Sequence, residues 1–213
     1  MFRYFILIAF LSQLFPFIGQ RPFHENAWSS LLVNYKLSRW NITADAGYRS
    51  CDQFLQSKRT SLIRFTAERS LGEIHRLGVG YAYFEHYNTV NSYENRLFLQ
   101  YNAELNLNRS KLNFRFRNEL RTYNNRDTGN RSRLQVTWLK EITDRLGMQL
   151  AAEALYTPGN NALFEQRYTA GLNSKLTDNV KMIGFYTAQL QSNIDYLQHI
   201  IGLQVQLQFE SVF

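Results

Sequence analysis

Lys111-Leu112-Asn113-Phe114-Arg115-Phe116-Arg117-Asn118-Glu119-Leu120-Arg121 decides the fold of this chain. Leu112, Phe114, Phe116 and Leu120 share one parity, and Lys111, Asn113, Arg115, Arg117, Glu119 and Arg121 share the other. Period two is the strand period, because successive β side chains point to opposite faces. A run of ~9–11 residues with one greasy and one charged face is long enough to cross a bilayer as a tilted strand. Runs of this kind recur at 28–37, 40–49, 60–70, 75–86, 94–105, 110–122, 131–142, 146–156, 165–176, 180–190 and 198–209.

The connections between these runs alternate in length. Short ones fall at Ser38-Arg39, 71–73, 106–109, 143–145 and 177–179, and longer ones at 50–59, 87–93, 123–130, 157–164 and 191–197. Short turns on one rim and longer loops on the other are the habit of bacterial outer-membrane barrels, with the turns in the periplasm and the loops outside. Eleven runs cannot close an all-antiparallel barrel. The expectation is therefore an all-β, antiparallel up-and-down transmembrane barrel of twelve strands, with 20–26 supplying a short first strand. Ten is the alternative, if the first run stands outside the wall.

Residues 1–19 have the anatomy of an export signal: Arg3, an apolar core over 4–11, and a break near Pro16 before Gly19-Gln20. The core is too short for a membrane helix of roughly 20 residues. The expected organisation is a signal peptide over 1–19 and a single barrel domain over 20–213, exported to the cell outer membrane. The formal charge of +7 and pI of 9.6 raise nucleic acid as a partner, but the basic residues are dispersed strand by strand, so none is expected. The single cysteine, Cys51, excludes an internal disulfide.

Alternation alone does not say which face points inward. Bulk decides it: about five large apolar side chains per strand would overfill a small barrel, so they must face lipid. Aromatics also favour strand ends, with Trp40 and Trp138 near the short turns and Tyr48, Tyr83, Tyr156 and Tyr168 near the long loops. Two aromatic girdles at the lipid–water boundaries account for that placement. The last run puts Ile201, Leu203, Val205, Leu207 and Phe209 on one parity, and the chain ends in Phe213. That aromatic terminus resembles the insertion signal read by the barrel-assembly machinery.

The other parity then lines the lumen. It carries Asp45, Arg49, Arg64, Glu68, Arg96, Gln100, Glu104, Arg115, Arg117, Glu119, Arg121, Arg133, Glu141, Glu153, Arg167 and Lys175. On lipid an Arg would cost ~2–4 kcal/mol at the midplane. Inside, the guanidinium fork matches carboxylates bidentately, which predicts a charge network that plugs the lumen. Arg outnumbers carboxylate, so the alternative is an anion-selective pore or a site for a small anionic solute. Glu119, between Arg117 and Arg121, is the expected internal counter-charge. Gly78, Gly80, Gly147, Gly171, Gly184 and Gly202 fall inside strands, where they would make room for long Arg side chains.

A lipid-modifying enzyme is the third class. It needs a nucleophile beside a base, but His24, His75, His86 and His199 have no Ser fixed at a matching level in the pattern. No HExxH motif and no compact His–carboxylate cluster argues for a metal, so no cofactor and no catalytic residue is assigned.

The chain also resembles an uncharacterised outer-membrane barrel family known as a domain of unknown function. The matching pieces are Trp28 with 36–40, then Glu94-Asn95-Arg96-Leu97 with Gln100, then 114–121, and 164–167 followed by Gly171-Leu172. The resemblance covers the region after the signal and implies a barrel fold and an outer-membrane location. It implies no established activity.

Overall fold

The computed structural model describes residues 23–51, 57–87, 92–125, 127–159, 162–192 and 197–210. Residues 1–19, expected to be an export signal, and Phe213 lie outside the described residues. The strands are β1 (Phe23–Leu37), β2 (Trp40–Cys51), β3 (Ser57–Leu71), β4 (His75–His86), β5 (Ser92–Leu107), β6 (Ser110–Tyr123), β7 (Gly129–Glu141), β8 (Leu146–Thr157), β9 (Leu163–Lys175), β10 (Val180–Gln191) and β11 (Leu197–Glu210). Each pairs with its sequence neighbours, and β1 pairs with β11 to close the barrel.

The strand count corrects the expectation of twelve, and ten is not matched either. Among the described residues there are eleven strands, and the closing pair is parallel, in register from Phe23↔Leu197 to Lys36↔Glu210. Residues 23–26 do not form a separate strand; they extend the first run, so β1 is one continuous strand of 15 residues. A parallel pair closes an odd sheet without leaving an edge of unpaired backbone groups. Side chains tie the seam as well: Gln204 donates to Ser30 Oγ at 3.0 Å, and Lys36 meets Glu210 at 3.2 Å.

Loop lengths are corrected too. The strands run 12–16 residues, longer than the sequence runs, so every long connection shrinks to five residues: 52–56, 87–91, 124–128, 158–162 and 192–196. The opposite rim has turns of two to four residues. Ser38 (φ 50°) and Asn108 (φ 51°) open the two-residue turns with the positive φ that tight hairpins require. The two four-residue turns share one lock. Thr143 Oγ1 accepts from Leu146 N at 2.9 Å, and Thr177 Oγ1 accepts from Val180 N at 3.1 Å.

The outward face is the apolar parity. Leu97, Leu99, Val79, Phe65, Leu134, Leu172 and Ile201 are all more than half exposed. Polar residues on this face are hydrogen-bonded across strands: Tyr81 Oη to Asn95 Oδ1 at 2.5 Å, and Ser132 Oγ to Asn118 Oδ1 at 2.6 Å. Asn118 is the one residue that breaks the apolar parity of the 111–121 stretch, and Ser132 satisfies it. The residues expected to form the girdles, Trp40, Tyr48, Tyr83, Trp138, Tyr156 and Tyr168, all stand on this outward parity; the first five lie within four residues of a strand end, whereas Tyr168 lies in the middle of β9.

The inward face is less polar than expected. Leu62, Phe84, Phe98, Leu155, Ile183 and Ile200 are buried inside, and Trp28 and Phe185 also point inward. The strand glycines serve these rings and the amides, which corrects the expectation that they make room for Arg. A Cβ at Gly80 would lie 2.2 Å from Phe98, and one at Gly202 would lie 2.0 Å from Phe185. The far edge of each ring therefore occupies the space that a Cβ would take on the neighbouring strand. Gly78 lies under Glu68 and Gln100, Gly171 lies under Gln149, and Gly184 has nothing within 4 Å.

Candidate functional site: the charged lumen

The parity of β5 to β9 aims carboxylates and guanidiniums at the same volume, in the half of the lumen nearer the loops. Glu94 on β5 is fully buried. It takes Arg96 on both oxygens, Nε at 2.7 Å and Nη2 at 2.8 Å, and it also accepts from Arg121 of β6. Glu119 on β6 accepts from Arg131 Nε at 2.9 Å and Nη2 at 2.7 Å, and lies 2.9 Å from Arg133 Nε. Arg117 and Arg96 stand at 3.8 and 3.9 Å from the same carboxylate. Glu153 on β8 gathers Arg115 at 3.3 Å, Arg133 at 3.6 Å and Arg167 at 3.3 Å.

These contacts join into one chain. Arg96 links Glu94 to Glu119, Arg133 links Glu119 to Glu153, and Arg167 links Glu153 to Glu165 of β9. Glu165 accepts from Gln191 of β10 at 3.1 Å. Arg115 reaches from β6 past β7 to β8, so the network braces the interior as well as neighbouring strands. Buried ions are costly unless paired with good geometry, and here each carboxylate holds at least two partners.

The inward rings give the guanidiniums their second faces. Arg96 lies 3.7 Å above Phe84, Arg117 4.2 Å above Phe98, and Arg49 4.1 Å above Trp28, with Arg167 at 5.5 Å from that same indole. Stacking a cation on a ring adds attraction in a site where water is scarce. Arg117 also donates to Gln100 Oε1, from Nε at 2.9 Å and from Nη2 at 2.5 Å.

Nearer the short turns the charges thin out. Asp45 pairs with Arg64, and Glu68 takes Gln100 at 2.6 Å and also accepts from Asn102. Glu104 takes Arg76 at 3.1 Å and Lys111 at 3.6 Å near the rim. Glu141 and Lys175 stand exposed at the turns, outside the network. Lys175 instead hydrogen-bonds Asp178 at 2.9 Å and holds that turn carboxyl below its ordinary pKa. A cavity of about 170 Å³ lies in the lumen, lined by Trp28, Phe185, Arg167, Glu153 and a set of amides and hydroxyls that includes Gln135, Gln149, Gln204 and Thr169.

Sequence reading named most of this network but missed Glu94, Glu165, Arg131 and Arg76. Glu94, Glu165 and Arg131 each open a run and share the parity of Arg96, Arg167 and Arg133, so parity could have found them. It also misassigned the counter-charge. Glu119 serves chiefly Arg131 and Arg133 across the β6–β7 pair, with Arg117 of its own strand further off at 3.8 Å, because Arg131 stands directly opposite it in the register, where side chains lie closest.

The histidines occupy separate settings. His86 stands between Thr60 Oγ1 at 3.1 Å and Glu94 Oε2 at 3.3 Å, a hydroxyl–imidazole–carboxylate row that the sequence pattern did not reveal. Its carboxylate is already claimed by two guanidiniums, and its hydroxyl is buried. His75 and His199 face outward and accept or donate at Nδ1 with Tyr101 and Tyr186. Among the described residues, no group of three or more His, Cys, Asp or Glu side chains could hold a metal.

A family model, "Protein of unknown function (DUF2490)", matches residues 25–198. The chain belongs to this family. The match spans β1 to the start of β11 and so covers nearly the whole barrel of this DUF2490 member. No curated protein matches it.

Among solved structures, it is similar to a loop-deletion mutant of OmpT, an outer membrane protein of Vibrio cholerae, with a TM-score of 0.48 and 11% identity over 76% of this chain and 57% of that one. OmpT expressed in the outer membrane of Vibrio cholerae gives a TM-score of 0.47 and 12% identity, over 74% of this chain and 53% of that one. The siderophore receptor PirA of Pseudomonas aeruginosa gives 0.31 and 10% identity, over 78% of this chain and 35% of that one. The chain therefore spans little more than half the length of the OmpT structures it matches.

Proposed function

We propose that this DUF2490 barrel is an integral outer-membrane protein whose lumen is closed by its own ion pairs, with a structural or scaffold role or at most a narrow passage. The observation that carries this reading is the Glu94–Glu119–Glu153 chain of bridged guanidiniums, which spans β5 to β9 across the interior. The outward apolar belt with aromatics at both ends supports the location. A closed sheet with no free edge is the form in which strands can stand in hydrocarbon. The signal over 1–19, the outside placement of the loops, lipid contact, and insertion by the barrel-assembly machinery belong to the same proposal. It assigns no catalytic residue and no cofactor.

Two measurements test it. In a planar bilayer the purified barrel is expected to show little or no steady conductance. A steady anion-selective current that falls when Arg115, Arg117 and Arg121 are changed together to Ala would reject the closed lumen in favour of an open basic pore.

For location, Leu99→Arg places a charge in the middle of β5, at the most exposed large apolar side chain of the belt. It is expected to cost about 2–4 kcal/mol of unfolding free energy in reconstituted vesicles, whereas Leu99→Phe should be close to neutral. Equal stability of the two variants would show that this belt does not meet lipid.

A further inference from the structure

We propose that Arg49 is the centre of a binding site for a small oxyanion inside the loop-side half of the lumen. Among the described residues Arg49 forms no ion pair with a carboxylate and no side-chain hydrogen bond; it lies over the ring of Trp28 at 4.1 Å, with Phe84 further off at 5.9 Å. The charged groups that bear on it are Arg167 from β9, Arg96 from β5, Arg133 from β7 and Arg64 from β3.

Each of those four has its own carboxylate: Glu153 and Glu165 for Arg167, Glu94 for Arg96, Glu119 for Arg133, and Asp45 for Arg64. Arg49 is the remainder after this pairing. A half-enclosed cation among cations is expensive unless something negative joins it.

The geometry suits an oxyanion. With its central carbon 4.1 Å from the Trp28 ring centroid, the guanidinium presents a planar fork of N–H donors that suits gripping two oxygens at once. Arg49 is not sealed: it is partly exposed to the lumen, and none of its nitrogens is among the buried, unpartnered ones. The 170 Å³ cavity shares Trp28 and Arg167 as walls; its lining includes amides, hydroxyls and one carboxylate, Glu153, which Arg115, Arg133 and Arg167 neutralise, and it gives room beside Arg49 for an anion with its waters. Phosphate and carboxylate share the needed chemistry, whether free in solution or carried on a lipid headgroup. This site rests on the reading of the lumen as braced by ion pairs, but it does not require the barrel to be either blocked or conducting.

The test uses the refolded barrel in a phosphate-free detergent at low salt, with the unfolding midpoint followed as inorganic phosphate is added. Wild type should be stabilised saturably, and chloride at matched ionic strength should not reproduce the effect. Arg49→Gln should fold, should match or exceed wild type without phosphate because it removes an unpaired cation, and should bind phosphate at least about tenfold more weakly. Arg133→Gln should instead lose stability with or without phosphate, since it strips Glu119 and Glu153. Arg49→Lys keeps the charge without the fork and should fall between wild type and Arg49→Gln.

A parallel titration with anionic phospholipid separates the sources. A response to lipid alone, lost in Arg49→Gln, places the oxyanion on a headgroup, and a response to free phosphate places it on a solute. Identical behaviour of wild type and Arg49→Gln in both titrations would overturn the site, as would failure of Arg49→Gln to fold. If conductance is steady while the phosphate response survives, the closed lumen falls and this site stands.

Discussion

Replacing Glu119 by Gln is expected to cost the barrel about 3–5 kcal/mol of unfolding free energy, the cost of breaking a buried ion pair by removing one partner. The carboxylate is almost wholly buried and serves Arg131 bidentately and Arg133 singly, with Arg117 and Arg96 just beyond. Glutamine keeps the shape and one acceptor, but it leaves cations crowded in a cavity with too little negative charge. The comparison that isolates this effect is Glu210→Gln at the seam. That residue pairs with Lys36 where both side chains are mostly exposed, so its loss should cost no more than about 1 kcal/mol. Denaturant titration of the two variants in the same micelles decides the matter. If they unfold together, the network does not hold the lumen.

Phe209→Asp combined with removal of Phe213 is expected to abolish assembly. Phe209 stands outward near the end of β11, 43% exposed, and pairs with Tyr35 across the seam. The substitution puts a carboxylate on the face that we read as meeting lipid, on the strand that must find β1. A strand that fails there leaves two rows of backbone groups unpaired where no water can satisfy them. The measurement is heat-modifiable migration after refolding into lipid. A double variant that still shows the compact, heat-sensitive band would mean that closure does not depend on this end of the strand. Each single change separates the lipid-face charge from the terminal aromatic.

The wall of this barrel was legible in the sequence because period two survives everything that happens to a strand in a sheet. Parity separated Phe114, Phe116 and Ile201 from Arg117, Glu119 and Glu153, and the bulk of the apolar set placed the first group outside and the second inside. What parity cannot convey is pairing around the circle. Nothing in 20–26 distinguishes a separate short strand from the first residues of a longer one, so the sheet closed differently from the expected even count.

The lumen was half legible. The residue types predicted ion pairs, but the partners are set by register and shear between strands, as the transfer of Glu119 from its own strand to Arg131 and Arg133 shows. The inward rings were the larger miss. Trp28, Phe84 and Phe98 sit on a polar parity, and only the glycine facing a ring across the strand pair, such as Gly80 opposite Phe98, hints that a flat group lies there.

An odd number of crossings gives the barrel a direction. Because β1 and β11 run the same way, the wall begins at one mouth with Phe23 and finishes at the other with Glu210. Duplicating or deleting a hairpin changes the count by two and leaves that direction intact. The two ends can never be joined by a short link: at about 3.3 Å per residue, the 15 residues of β1 hold them about 45 Å apart. A circular permutant that reconnects them would need a linker as long as another strand, threaded through the interior or added to the wall. Fusions to the two ends of the wall would likewise emerge at opposite mouths, so one molecule could carry a reporter toward each side of whatever boundary it spans.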